Sequence, residues 1–252
     1  MSTTLLTLLT ARAVATEGFL ERFNGRGDYT SVNGNFSGLD NPGWQDVNLK
    51  GTITDRGYRF EVNNLHAPES TEESFRRTVN GTGGFRERLV IDELDLSDIP
   101  PGPLDPYGSV SLERIFGKHT LSIRLREGDP VPDAAWQLVV STETGRVFDT
   151  YVDRTQHVAL ELVYNDAEKM AEVFYDADVT DPISPVSFGK VSLLTSGPSL
   201  TKWIGGVNGP FGATSGIIES WTLVSTDTEG DFNGDGELSS LDLAFIANAT
   251  LS

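Results

Sequence analysis

Cysteine is absent from the 252 residues. Disulfides, thiolate zinc sites and a cysteine nucleophile are thereby excluded. The absence leaves the compartment open, because a large exported β-domain is able to stand on core burial alone. Positive charge is scarce: 19 Lys and Arg against 37 Asp and Glu give a formal net charge of −18. Nucleic acid is a poor partner for such a chain, since phosphate binding needs clustered Lys and Arg. An anionic membrane surface is disfavoured for the same reason. Long apolar runs are also missing. Nothing approaches the ~18 apolar residues of a spanning helix, so no membrane insertion is expected. Histidine is rare, and His66, His119 and His157 show no metal-ligand spacing. No Gly-x-Ser-x-Gly elbow is present, and Gly81-Thr82-Gly83-Gly84 lacks the Lys-Ser/Thr of a phosphate loop. Arg26-Gly27-Asp28 spells an adhesion tripeptide but reads equally well as a turn.

What is present is short alternation broken by Gly, Pro, Asn and Asp. Leu121-Ser-Ile123-Arg-Leu125 and Val158-Ala-Leu160-Glu-Leu162-Val-Tyr164 repeat with period two, the pattern of strands with one buried face. Trp136 to Val140 and Val173 to Tyr175 are rich in β-formers. Further strands are expected at Gly18 to Phe23, Val47 to Ile53, Tyr58 to Val62, Phe85 to Leu94, Ser109 to Ile115, Val186 to Leu193 and Ile217 to Val224. Thr54-Asp55-Arg56-Gly57 and Asn165-Asp166-Ala167-Glu168 read as hairpin turns. No helical period appears before Leu238. The expected fold is all-β: a two-sheet antiparallel sandwich, a jelly roll, with its first and last strands side by side. Phe19 and Phe23 in the opening strand and Trp221 in the closing one give residues 17–226 a resemblance to the concanavalin A-like lectin/glucanase class of jelly rolls.

Residues 1–16 end in Ala13-Val14-Ala15 and read as an export-signal remnant or a flexible tail. Residues 227–230 read as a polar linker, and 231–252 as a separate appendage. Within it, Asp231, Asn233 and Asp235 occupy positions one, three and five of a calcium loop, with Gly236 at the sharp turn. Glu237 offers its backbone carbonyl, Ser239 ligates directly or through water, and Asp242 closes the loop at position twelve. Leu241 and Phe245 then share one face of an exiting helix. The segment resembles a single dockerin-type calcium repeat, with its EF-hand-like loop and no entering helix. That resemblance implies calcium as cofactor, a bacterial, secreted or cell-surface protein, and a protein partner for the repeat. Dockerins that dock carry two repeats, and this chain has one.

Two constellations bear on the function of the sandwich. Glu93 and Asp95 share a face of a regular strand, about 7 Å apart by strand rise, a spacing open to glycoside chemistry. Ile91-Asp92-Glu93-Leu94-Asp95-Leu96-Ser97-Asp98 resembles the Glu-x-Asp-x-x-Glu signature of family 16 glycoside hydrolases. The resemblance implies Glu93 as nucleophile, Asp95 as auxiliary acid and Asp98 in the place of the acid/base glutamate, one methylene short. The other reading is an acidic strand end running into a surface loop. Among the four tryptophans, Trp136 and Trp221 fall in strand patterns and belong to the core. Trp44 and Trp203 sit beside Pro and Gly and are the candidates for sugar stacking, or else caps of the core. Three functions follow: non-catalytic binding of a polysaccharide or cell-surface glycan, a diverged polysaccharide hydrolase, or a structural surface protein.

Overall fold

The computed structural model describes residues 16–23, 43–63, 71–81, 83–96, 107–127, 135–181, 185–194, 198–208 and 213–226. They contain fifteen strands and no helix. In chain order these are β1 Phe19–Glu21, β2 Trp44–Val47, β3 Thr52–Thr54, β4 Gly57–Asn63 and β5 Thr71–Val79. There follow β6 Phe85–Asp95, β7 Tyr107–Phe116, β8 His119–Arg126, β9 Ala135–Thr142 and β10 Gly145–Asp153. The last five are β11 Val158–Asn165, β12 Met170–Asp176, β13 Val186–Ser192, β14 Ser199–Asn208 and β15 Ala213–Ser225.

Two antiparallel sheets form the sandwich. One runs β13-β12-β11-β6-β15-β4-β3, with β1 also paired to β15; the other, seven-stranded, runs β10-β9-β8-β7-β14-β5-β2. The first and last strands are neighbours, Phe19 opposite Leu223 and Glu21 opposite Trp221. Alternation explains why these segments are strands. In β6, Phe85, Glu87, Leu89 and Ile91 turn inward; in β8, Leu121, Ile123 and Leu125 do. The inner faces of both sheets supply one continuous core. Its densest part is aromatic: Trp44 and Trp221 lie 4.9 Å apart between ring centroids, and Phe75 and Trp203 5.0 Å.

The turn expected at Thr54 to Gly57 joins β3 to β4. Gly57 is required there: its φ is +141°, and a Cβ would fall 2.2 Å from the Ile218 carbonyl oxygen. One expected strand is corrected. Val47 to Ile53 is two strands in different sheets, broken where Asn48 adopts φ +57°, a conformation asparagine tolerates. Strands β5, β10 and β14 have no counterpart among the expected strands.

Candidate functional site

Trp44 and Trp203 are corrected as sugar-stacking residues. Both are buried, as are Trp136 and Trp221. Trp203 points inward from the middle of β14, where Ser199, Thr201, Trp203 and Val207 have buried side chains. The glycines beside it mark packing and not a loop: a Cβ on Gly205 would meet the Trp203 ring at 2.7 Å. Trp44 lies edge-on to Phe19 and Phe75 at 5.4 Å each. Neither indole face is free for a pyranose.

Glu93 and Asp95 lie on the outer side of the larger sheet. In an unbroken strand Glu93 would follow Leu89 and Ile91 into the core. A bulge prevents this: the β6–β15 register shifts between Ser215–Asp95 and Ile217–Asp92, and Glu93 takes φ +51°. Leu94 then turns inward and Asp95 is exposed. A second shift on β15, at Glu219, sits two residues away. Around the paired bulges the charges are matched. Arg56, in the β3–β4 turn, binds Asp92 and reaches Glu93 Oε1 at 2.5 Å, and Arg59 reaches Glu93 Oε2 at 2.9 Å. The hydrogen bond from Arg56, then that from Arg59, holds the Glu93 carboxyl below the ordinary glutamate range. Glu219 takes His157 Nε2 at 2.9 Å. Both oxygens of the proposed nucleophile are thus occupied by guanidinium. Asp98, the matching acid/base position, lies outside the described residues, as does His66. His119 pairs with Glu143 at 2.6 Å, a different partner from that of His157. Among the described residues no group of three or more His, Asp or Glu is placed to hold a metal. Asp231, Asn233, Asp235, Glu237, Ser239 and Asp242 lie outside them.

The sequence reading missed a set of buried acids. Glu87 projects inward from β6, wholly covered, and its Oε2 accepts Arg114 Nη1 of β7 at 3.1 Å. Its Oε1 accepts Trp221 Nε1 at 2.9 Å and the Thr201 hydroxyl. Arg114 lies over the Phe85 ring at 4.5 Å. The pair bridges the two sheets through the core. Glu73 of β5 is also inward. Its Oε2 accepts the Tyr58 hydroxyl at 3.0 Å and the Lys50 amide at 2.9 Å, while Oε1 has no partner. Burial pushes its carboxyl above the ordinary glutamate range, with the Lys50 amide and the Tyr58 hydroxyl opposing. A raised folded value means a contribution to stability that is complete below the unfolded glutamate value and lost as pH rises through the folded one. Glu73→Gln keeps an acceptor for Tyr58 and Lys50 without the titration. Its stability relative to the parent is therefore expected to climb between pH 4 and pH 8 in paired urea melts. A difference independent of pH would mean that Glu73 titrates normally.

The outer face of the seven-stranded sheet is polar in another manner. Arg126 Nε donates to Gln137 Oε1 at 2.6 Å, Gln137 Nε2 to Asp149 Oδ1 at 2.5 Å, and Arg146 also binds Asp149. This chain of planar groups crosses β8, β9 and β10. Ser122 donates to Glu113 Oε1 at 3.3 Å on the neighbouring strands. Such a surface offers amides, hydroxyls and guanidinium groups at strand spacing, the donors and acceptors a polyhydroxylated ligand needs.

The two antiparallel sheets and their strand order make a jelly-roll sandwich whose fold is similar to that of legume lectins. Peanut lectin with a nonapeptide superposes with a TM-score of 0.52 at 12% identity, covering 84% of this chain and 97% of that one. Lectin I of Ulex europaeus, in complex with the methyl glycoside of α-L-fucose, gives 0.52 at 11%, covering 84% and 98%. The legume lectin-like domain from Entamoeba histolytica gives 0.50 at 12%, covering 72% and 89%. At these identities the likeness is one of fold. No protein-family model matches the chain, and no curated protein matches it in sequence.

Proposed function

We propose that this chain is an exported, non-catalytic carbohydrate-binding protein whose lectin-like sandwich contacts a polysaccharide or cell-surface glycan, with a calcium-bound repeat at residues 231–252. The observation that carries the reading is the pairing of Glu93. A retaining glycosidase needs a carboxylate with a free oxygen beside a second carboxyl of raised pKa. Here Arg56 and Arg59 occupy both Glu93 oxygens. The lectin class of the fold supports binding, and the fucoside held by the Ulex lectin is an instance of what this architecture takes.

The test is a glycan array and a reducing-sugar assay on one sample, each with and without calcium. Binding to at least one glycan class is expected, with no release of reducing ends from β-glucans. Robust hydrolysis lost in Glu93→Gln would replace this reading with that of a diverged family 16-like hydrolase. Neither binding nor hydrolysis would leave a structural surface protein.

A further inference from the structure

Among the described residues of this acidic protein, arginine is almost everywhere engaged. Arg56, Arg59, Arg77, Arg86, Arg88, Arg114, Arg146 and Arg154 all form ion pairs. Arg76 donates to Gln45, Arg126 to Gln137, and Arg22 has a partner as well. Arg124 is the exception: among the described residues it alone of the arginines has a side chain with no hydrogen bond, ion pair or ring contact.

Its position makes the exception informative. Arg124 lies on β8, and the alternation that buries Ile123 and Leu125 turns it to the outer face of the seven-stranded sheet. Its partners across the strands are Ser111 of β7 and Val139 of β9, both short and nearly covered. Arg124, with the longer side chain, lies between them in the cross-strand row. Nearby acids are already engaged. Asp149, in the same cross-strand row, is held by Gln137 and Arg146. Glu113, one position diagonal on β7, accepts from Ser122. A planar group with five donors is left partly desolvated and unanswered in a molecule with a surplus of carboxylates. Beside it runs the ordered Arg126–Gln137–Asp149–Arg146 chain, which presents further hydrogen-bonding groups on the same face.

Resting on the carbohydrate-binding reading above, we infer that the outer face of the seven-stranded sheet is the binding surface and that Arg124 selects a sugar bearing a carboxylate, a hexuronic acid unit of an anionic polysaccharide. The guanidinium fork matches a carboxylate with two parallel charge-assisted bonds. The neighbouring amides and hydroxyls serve the ring hydroxyls. The net charge of −18 gives the specificity an opposing element: the acidic surface as a whole repels a polyuronate, and the Arg124 guanidinium offsets that repulsion at this face.

The experiment uses the full chain in calcium-free buffer. Oligomers of a 1,4-linked hexuronic acid, their methyl esters, and neutral oligomers of the same linkage are titrated calorimetrically against the parent, Arg124→Gln and Arg124→Lys. Arg124 has no partner to lose, so its variants should melt with the parent. The free acid should bind and the ester should not. Arg124→Gln should weaken binding about tenfold or more, the scale of one charge-assisted bidentate contact. Arg124→Lys, which keeps charge but not the fork, should fall between. Equal binding by parent and Arg124→Gln, or of acid and ester, overturns the inference. Neutral oligomers bound in place of uronates would overturn it while leaving the lectin reading intact. Failure of all three oligomers together with a blank glycan array would remove both.

Discussion

Arg114→Met should cost this protein about 3–5 kcal/mol of stability near pH 8, the usual penalty for leaving one member of a buried ion pair behind. The residue left behind is Glu87, wholly covered between the sheets, with the Trp221 indole and the Thr201 hydroxyl as its remaining donors. Burial already pushes the Glu87 carboxyl up and the Arg114 guanidinium down, each charge being stabilised mainly by the other. Without Arg114, Glu87 takes up a proton, and its folded pKa rises further above the unfolded value. Stability linked to that proton is intact below the ordinary glutamate range and lost as pH rises through the folded value. The cost of Arg114→Met should therefore shrink towards pH 4. Adding Glu87→Gln removes the charge but keeps an acceptor for Trp221 and Thr201. The double variant should recover most of the loss at pH 8, to within about 1–2 kcal/mol of the parent. Urea melts of the parent, Arg114→Met and the double variant at pH 4 and pH 8 supply the cycle. A cost of Arg114→Met that is small, or equal at both pH values, would show that the pair is not held as an ion pair across the core.

That pair also explains part of what the sequence conceals. Strands with apolar inner faces, such as β8 and β11, announce themselves by alternation. Strand β5 does not, because two of its inward positions are Glu73 and Arg77. Its pattern is intact, but it is written partly in charged residues whose partners come from elsewhere in the chain. Strand β14 hides behind Gly205 and Gly206, which read as a loop when the indole that needs the space is not known to lie inward. Strand β10 is an edge strand, exposed along most of its length, with only Val152 buried. Fold class was legible because enough strands carry apolar faces to demand a two-layer core.

The surface chemistry was less legible. The spacing of Glu93 and Asp95 assumed an unbroken strand, and only the register against β15 shows the bulge that lifts Glu93 out of the core. Arg56 and Arg59, from a turn and strand more than thirty residues earlier, then decide that carboxylate's chemistry. Arg124 is an ordinary polar position in a period-two run. Its distinction lies in the partners it lacks, which no local pattern encodes.

Calcium uptake should disappear in a chain carrying Asp231→Ala and Asp235→Ala. Residues 231–242 lie outside the described part of the structure, so this expectation rests on their spacing. In a calcium loop of this spacing Asp231, Asn233 and Asp235 would converge side-chain oxygens, Gly236 would permit the turn, and Asp242 would close the loop. Calcium is a hard cation that takes six to eight oxygens, and three carboxylates around one point repel each other until it arrives. Removing two of the three takes away both ligands and most of the charge. The 252 residues hold one such motif, with an aspartate at position twelve where paired EF-hands use a bidentate glutamate. The affinity of the parent loop should fall towards the weak range of extracellular modules, on the order of 10⁻⁵ to 10⁻³ M. Magnesium should compete poorly, because it demands a tighter octahedral site and dehydrates reluctantly. Calorimetric titration of parent and double variant with each metal measures all three quantities, and circular dichroism records whether helix appears with calcium. Equal calcium uptake by the two proteins would place the site elsewhere. Uptake lost in the variant without any change in helix would leave the loop as the site while removing the coupling between binding and the exiting helix.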